Sequence, residues 1–208
     1  MPSQALADFQ NRIGEVQQLL DAHSALTRLR RAEAATASGV PDLQNIGAFV
    51  QNLVTPPGRG RPAEVHALNS AAIALLSGHL QGFVVDLYKE VAVSTLTGRV
   101  RDVEALVGAA NLRGNPTVEN VSKLFASIGY PNILDDMSWQ RMSNGQLKAK
   151  LRSFNELRNQ IVHGASGAVH KSQVENYLNV LTSFATKLDS KMRTQVHAVT
   201  GNHPWTAA

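Results

Sequence analysis

Near the end of the chain, the stretch Leu157-Arg158-Asn159-Gln160-Ile161-Val162-His163-Gly164 sets an arginine and a histidine five residues apart. Arginine is a permanent cation whose planar donor fork fits phosphate, and histidine moves a proton near neutral pH. Together they predict phosphodiester cleavage by acid/base chemistry without a metal. The spacing alone is not selective, because Arg61 with His66 and Arg193 with His197 fall at similar intervals. The elements around each pair must decide between them.

The Arg158 pair closes an amphipathic helix. Leu147, Leu151, Phe154, Leu157, Ile161 and Val162 fall on one face at about 100° per residue, and Arg158 lies inside that face. A guanidinium among apolar neighbours needs a partner, a wet seam or a second subunit, so a buried ion pair or a snorkelling arginine competes with a site. Five residues turn a helix by about 500°, which sets His163 about 140° away from Arg158. His163 instead shares a polar stripe with Asn155 and Asn159. Two such helices meeting across a two-fold axis would bring both groups into one cleft. Alternatively, His163 is a helix-end histidine favoured by the dipole.

Further polar groups interrupt another apolar helix. His79 and Asp86, seven residues apart, are read as aligned with Leu68 and Leu75, and either satisfy neighbours or pair with Arg158. Arg59 and Arg61 lie in the loop Thr55-Pro56-Pro57-Gly58-Arg59-Gly60-Arg61-Pro62, where they touch phosphates or simply face solvent.

Several chemistries are absent from the sequence. No cysteine is present, which removes disulfides, thiolate metal sites and cysteine nucleophiles. There is no His-Glu-x-x-His, P-loop, dinucleotide fingerprint or Gly-x-Ser-x-Gly elbow, so neither metal nor cofactor is expected. A net charge of +4 and a pI near 9.6 suit a polyanionic partner without demanding one. The first 20 residues lack the basic start and apolar run of a signal peptide, and no apolar run approaches the roughly 20 residues of a membrane span. A cytoplasmic protein with no membrane association is expected.

The 208 residues, 43% hydrophobic, suffice for a real core, and three- and four-residue apolar spacing without strand alternation predicts an all-α bundle. A first helix is expected over 3–37, a short one near 43–53, and a central apolar helix over 63–96, broken by Gly98. Short helices follow at 103–110 and 118–128. Ser143 with Gln146, and Ser172 with Glu175, are capping-box pairs that open two further helices, ending at Gly164 and near Val196. One domain is expected over 1–208, with 1–54 as a helical extension packed on a core over 62–191, and 201–208 as a loose tail.

The Arg158-Asn159-x-x-x-His163 ending, followed by Gly164, resembles the signature of HEPN domains. The run from Leu75 through His79 and Asp86 to Leu87 resembles the early core helix of the subgroup named for RNA ligase and phosphatase genes. The resemblance implies an HEPN-like helical bundle with a long N-terminal helix and a few short extra ones. It further implies a metal-independent endoribonuclease of toxin or phage-defence type, acting as a homodimer on RNA, with an antitoxin as a further expected partner. By the same resemblance, His163 acts as acid or base on the 2′-hydroxyl or leaving oxygen. Arg158 holds the scissile phosphate, Asn159 orients the site, and Asp86 with His79 plays a supporting part. The rival reading is a non-catalytic helical module for dimerisation or for RNA or nucleotide binding.

Overall fold

The computed structural model describes residues 1–36, 63–108, 115–165 and 167–205. Their order is α1 (Gln4–Thr36), α2 (Ala63–Leu96), α3 (Val103–Gly108), α4 (Val118–Ala126), α5 (Asn144–Val162) and α6 (Lys171–Thr200). The described residues form no strand, and a single bridge joins Trp139 to Met142. The fold is all-α, as the residue spacing requires. The short helix expected near 43–53 and the loop bearing Arg59 and Arg61 lie outside the described residues.

α2 is the hub, in contact with every other described helix. Ala72, Ile73, Leu76, Leu80, Val84, Leu87 and Val91 are all 0% exposed, a helical repeat that faces inward over five turns. By length and composition residues 66–96 would suffice to cross a membrane, but here the apolar face is spent on α1 and α6, as in the core helix of a bundle. The helix stops where glycine is needed: Gly98 takes φ +77, and Arg99 and Val100 both donate to the carbonyl of Leu96. Gly82 admits α1 closely, since a Cβ there would stand 3.1 Å from Arg12 Nη1.

α1 lays Ala5, Leu6, Phe9, Val16 and Leu20 onto this core, with Phe9 tilted against Phe83 at 5.3 Å. Its first turn is tied down by its own cap and by two other elements. Ser3 Oγ caps Leu6 N–H, Asp189 of α6 accepts Ser3 N–H, and the Glu90 carboxylate of α2 accepts the amides of Gln4 and Ala5. Burial pushes the Asp189 carboxyl above the usual carboxylate range, with the Ser3 hydrogen bonds opposing.

Glu90 also corrects the expectation of a loose tail. Gly201 turns the chain in a left-handed conformation, His203 stacks on His197 at 4.0 Å, and Trp205 Nε1–H donates to Glu90 at 2.6 Å. Residues 201–205 are therefore docked, because an indole gains both apolar cover and a carboxylate partner there. The last helix is also longer than expected at its end, reaching Thr200.

α6 starts differently from the capping-box expectation. It begins at Lys171, its N-cap is His170, and no side chain caps it. Glu175, expected to reach back to the cap, instead pairs with Lys171 at 3.3 Å. Ser143 and Gln146, by contrast, form the full reciprocal box at the start of α5.

Candidate functional site

α5 buries Leu147, Leu151 and Phe154, then climbs out of the core in its last two turns. Leu157 and Ile161 are partly buried and Val162 is 55% exposed. The apolar face read from the sequence thus fades where the motif begins. Arg158 is half-buried and Asn159 and His163 are exposed.

The helix ends in a locked turn. His163 is the C-cap, Gly164 N–H donates to Ile161 O, and Ala165 N–H donates to Gln160 O. These two bonds form a Schellman motif, and its left-handed position falls to Gly164, whose φ is +69. The imidazole of His163 is therefore presented by a turn in which the carbonyls of Asn159, Gln160 and Ile161 are already satisfied.

The polar stripe of α5 forms three rungs with the start of α4. Arg152 pairs with Glu119 at 3.2 Å, Asn155 Nδ2 donates to Pro116 O at 3.3 Å, and Asn115 Nδ2 donates to Asn159 Oδ1 at 2.6 Å. His163 is the next position along this stripe, one turn beyond the last rung. Asn159 Oδ1 also accepts Arg158 Nη1–H at 3.3 Å, so one amide oxygen fixes the guanidinium from below. Among the described residues Arg158 meets no carboxylate, which removes the ion-pair alternative there. Asn155 is buried, and its Oδ1 has no hydrogen-bond partner.

Asn115 is the residue that sequence reasoning missed. It carries no periodic signal, lying just before Pro116, but its carbonyl accepts from Thr117 N and Asn120 Nδ2, which makes it rigid. No bond joins Arg158 to His163, in keeping with their separation around the helix.

His79 and Asp86 find other partners than Arg158, which corrects the expectation of a link. They lie beside the buried face of α2, not within it. Asp86 pairs with Lys89 at 3.5 Å, both side chains about 40% exposed. His79 Nε2 lies 3.3 Å from Glu15 Oε2 of α1, off the line of a hydrogen bond, so the contact is electrostatic at most. Burial holds the His79 imidazole below its ordinary pKa of 6.5, with Glu15 opposing and Arg12 assisting. His23 is shifted the same way, by burial, then Lys171 and His66, against Glu175.

Both imidazoles therefore favour the neutral form more strongly in the fold than in the unfolded chain. Their contribution to stability is full above pH 6.5 and is lost as pH falls through the lowered folded values. Thermal melting should decline between pH 7 and 5, less steeply in His79→Gln than in the wild type. Parallel declines in the two proteins would exclude His79 as a source.

The described residues hold no cluster of three or more ligands fit for a metal. Residues 109–193, which contain α4, α5 and most of α6, match the RiboL-PSP-HEPN family. Over this stretch the chain is similar to HEPN domains. No curated protein and no solved structure matches it. The HEPN match contains Arg158, Asn159, His163 and the missed Asn115, while His79, Asp86 and all of α2 lie before it.

Proposed function

We propose that this protein is a HEPN-type, metal-independent endoribonuclease of toxin or phage-defence type, cleaving RNA at a site shared across a homodimer in the cytoplasm. The observation that carries the reading is the end of α5 within the HEPN match. There Arg158, which meets no carboxylate among the described residues, stands near the end of the helix, and the exposed His163 is presented on its locked turn. A cation already oriented by Asn159 is suited to hold a phosphodiester and to offset charge developing on its oxygens. His163 takes the proton of the ribose 2′-hydroxyl, whose oxygen attacks phosphorus. The leaving 5′-oxygen takes a proton from the second copy's histidine, and a 2′,3′-cyclic phosphate remains.

One copy does not complete this arrangement, because Arg158 and His163 lie on different sides of α5. A second α5 packed against the exposed Val162 end supplies the missing half. An antitoxin that covers this end is the expected regulator of a toxin of this kind.

Purified protein whose dimeric mass has been established should cut total RNA in EDTA, leaving cyclic-phosphate ends. Arg158→Ala should lower the rate about 10²- to 10³-fold, in the range for loss of a charge-stabilising donor. Undiminished cutting by Arg158→Ala would remove the site assignment. Absence of cutting by the wild type would leave the dimerisation or RNA-binding module.

A further inference from the structure

The electrostatics at the start of α6 are unbalanced. The positive end of a 30-residue helix carries Lys171 in its first turn, no acidic residue there, and no side-chain cap from His170. Helix starts ordinarily hold a carboxylate or a capping oxygen. Here more imidazoles gather instead. The ring of His66, from α2, stands edge-on to His170 at 6.2 Å, and His23 of α1 is shifted partly by Lys171 and His66. Lys171 Nζ is held by Ser24 Oγ at 2.7 Å and by Glu175, the acidic group that answers this cluster.

His66 is aimed by the backbone. Val169 O can only accept, so the proton of the 3.2 Å contact sits on His66 Nδ1, and Nε2 is left for a ligand. The same carbonyl accepts Asn69 Nδ2 at 2.8 Å, which fixes the Asn69 carboxamide beside the N-cap. Asn69 is 1% exposed and its Oδ1 has no partner. An anion alone would satisfy the helix start but not this acceptor, which needs a donor. A phosphate joined to a hydroxylated sugar offers both.

We propose that the start of α6 is a ribose-phosphate subsite. Phosphate oxygens accept from the first-turn amides of Lys171 and Ser172 and from His170. A ribose hydroxyl donates to Asn69 Oδ1, and His66 Nε2, an acceptor when Nδ1 carries the proton, offers the sugar a second acceptor. Residues 163–170 connect the end of α5 to the start of α6, so His163 and His170 lie within about 25 Å of each other by chain length. The ligand is therefore an RNA nucleotide flanking the scissile phosphate, an identity that rests on the ribonuclease reading.

The test uses the full chain carrying His163→Ala, so that RNA stays uncut, with fluorescein-labelled decauridylate and its deoxy counterpart followed by anisotropy across a KCl series. Adding His170→Ala with His66→Gln, the latter keeping a donor for Val169 O, should weaken RNA binding about tenfold. It should also reduce the salt slope by about 1, the loss of one phosphate contact, and narrow the preference for RNA over DNA. Should that variant melt early, His170→Ala alone, exposed and bonded through no side-chain atom, is read the same way. Unchanged affinity and slope, or no RNA binding at all, overturns the subsite. A slope change in a protein whose wild type cuts no RNA keeps the subsite and removes the nuclease. Cutting with an unchanged slope does the reverse.

Discussion

His163→Ala protein should fold, melt and dimerise as the wild type does and lose at least about 10²-fold in RNA cleavage. The separation of the two effects follows from how the histidine is held. Its side chain is exposed, and the turn that presents it is bonded through the amides of His163, Gly164 and Ala165, none of which needs an imidazole. The stability at risk is the helix-dipole interaction, at most about 1 kcal/mol for an exposed group. Loss of a general acid or base costs about 10²- to 10⁴-fold, or about 2.7 to 5.4 kcal/mol of barrier at 1.36 per decade. Cleavage and melting measured on one preparation separate the two. Equal rates in both proteins would exclude His163 from the chemistry, and a melting drop of many degrees would make it structural. His163→Gln should be as inactive as alanine, since an amide keeps the shape but does not carry the proton.

The sequence made legible what depends on local pattern. Gly98 marked the end of α2, Ser143 with Gln146 marked the start of α5, and Gly164 marked its end, because each answers backbone groups within a few residues. The shared side of Asn155, Asn159 and His163 followed from helix geometry, and the three rungs with α4 lie along it. Contacts between elements distant in sequence were not legible. Nothing near Asn115 announces its bond to Asn159, 44 residues away, and nothing near Trp205 announces Glu90, 115 residues away. Asp86 and His79 misled for the converse reason. Seven-residue spacing aligned them on one stripe but did not show that it runs beside the core, where Lys89 and Glu15 are the nearer partners. At Ser172 a valid local signature lost to an ion pair, since Glu175 is drawn to Lys171 and the helix starts two residues earlier.

Phe154→Ala should produce the opposite result to His163→Ala, with the fold failing first and activity following it. Phe154 is fully buried and tilts against Tyr177 of α6 at 5.1 Å, so it joins the helix that ends in the motif to the helix that follows it. Truncation removes a ring that packing cannot replace, and a buried phenylalanine deleted to alanine costs about 3 to 5 kcal/mol. A domain of this size has about 5 to 15 kcal/mol in all, so the variant should retain a marginal fold and a urea midpoint well below the wild type. Asn155 is the next residue, and its bond to Pro116 O holds the middle rung between α5 and α4. Relaxation of α5 into the cavity therefore also disturbs the Asn115–Asn159 contact that orients Arg158. Cleavage should fall with the folded fraction and, at equal folded fraction, somewhat further. Phe154→Leu, which refills most of the volume, should recover most of both. A urea midpoint that scarcely moves in Phe154→Ala would mean that α5 is not anchored through this ring, and the rigidity ascribed to the motif would then have to come from α4 alone.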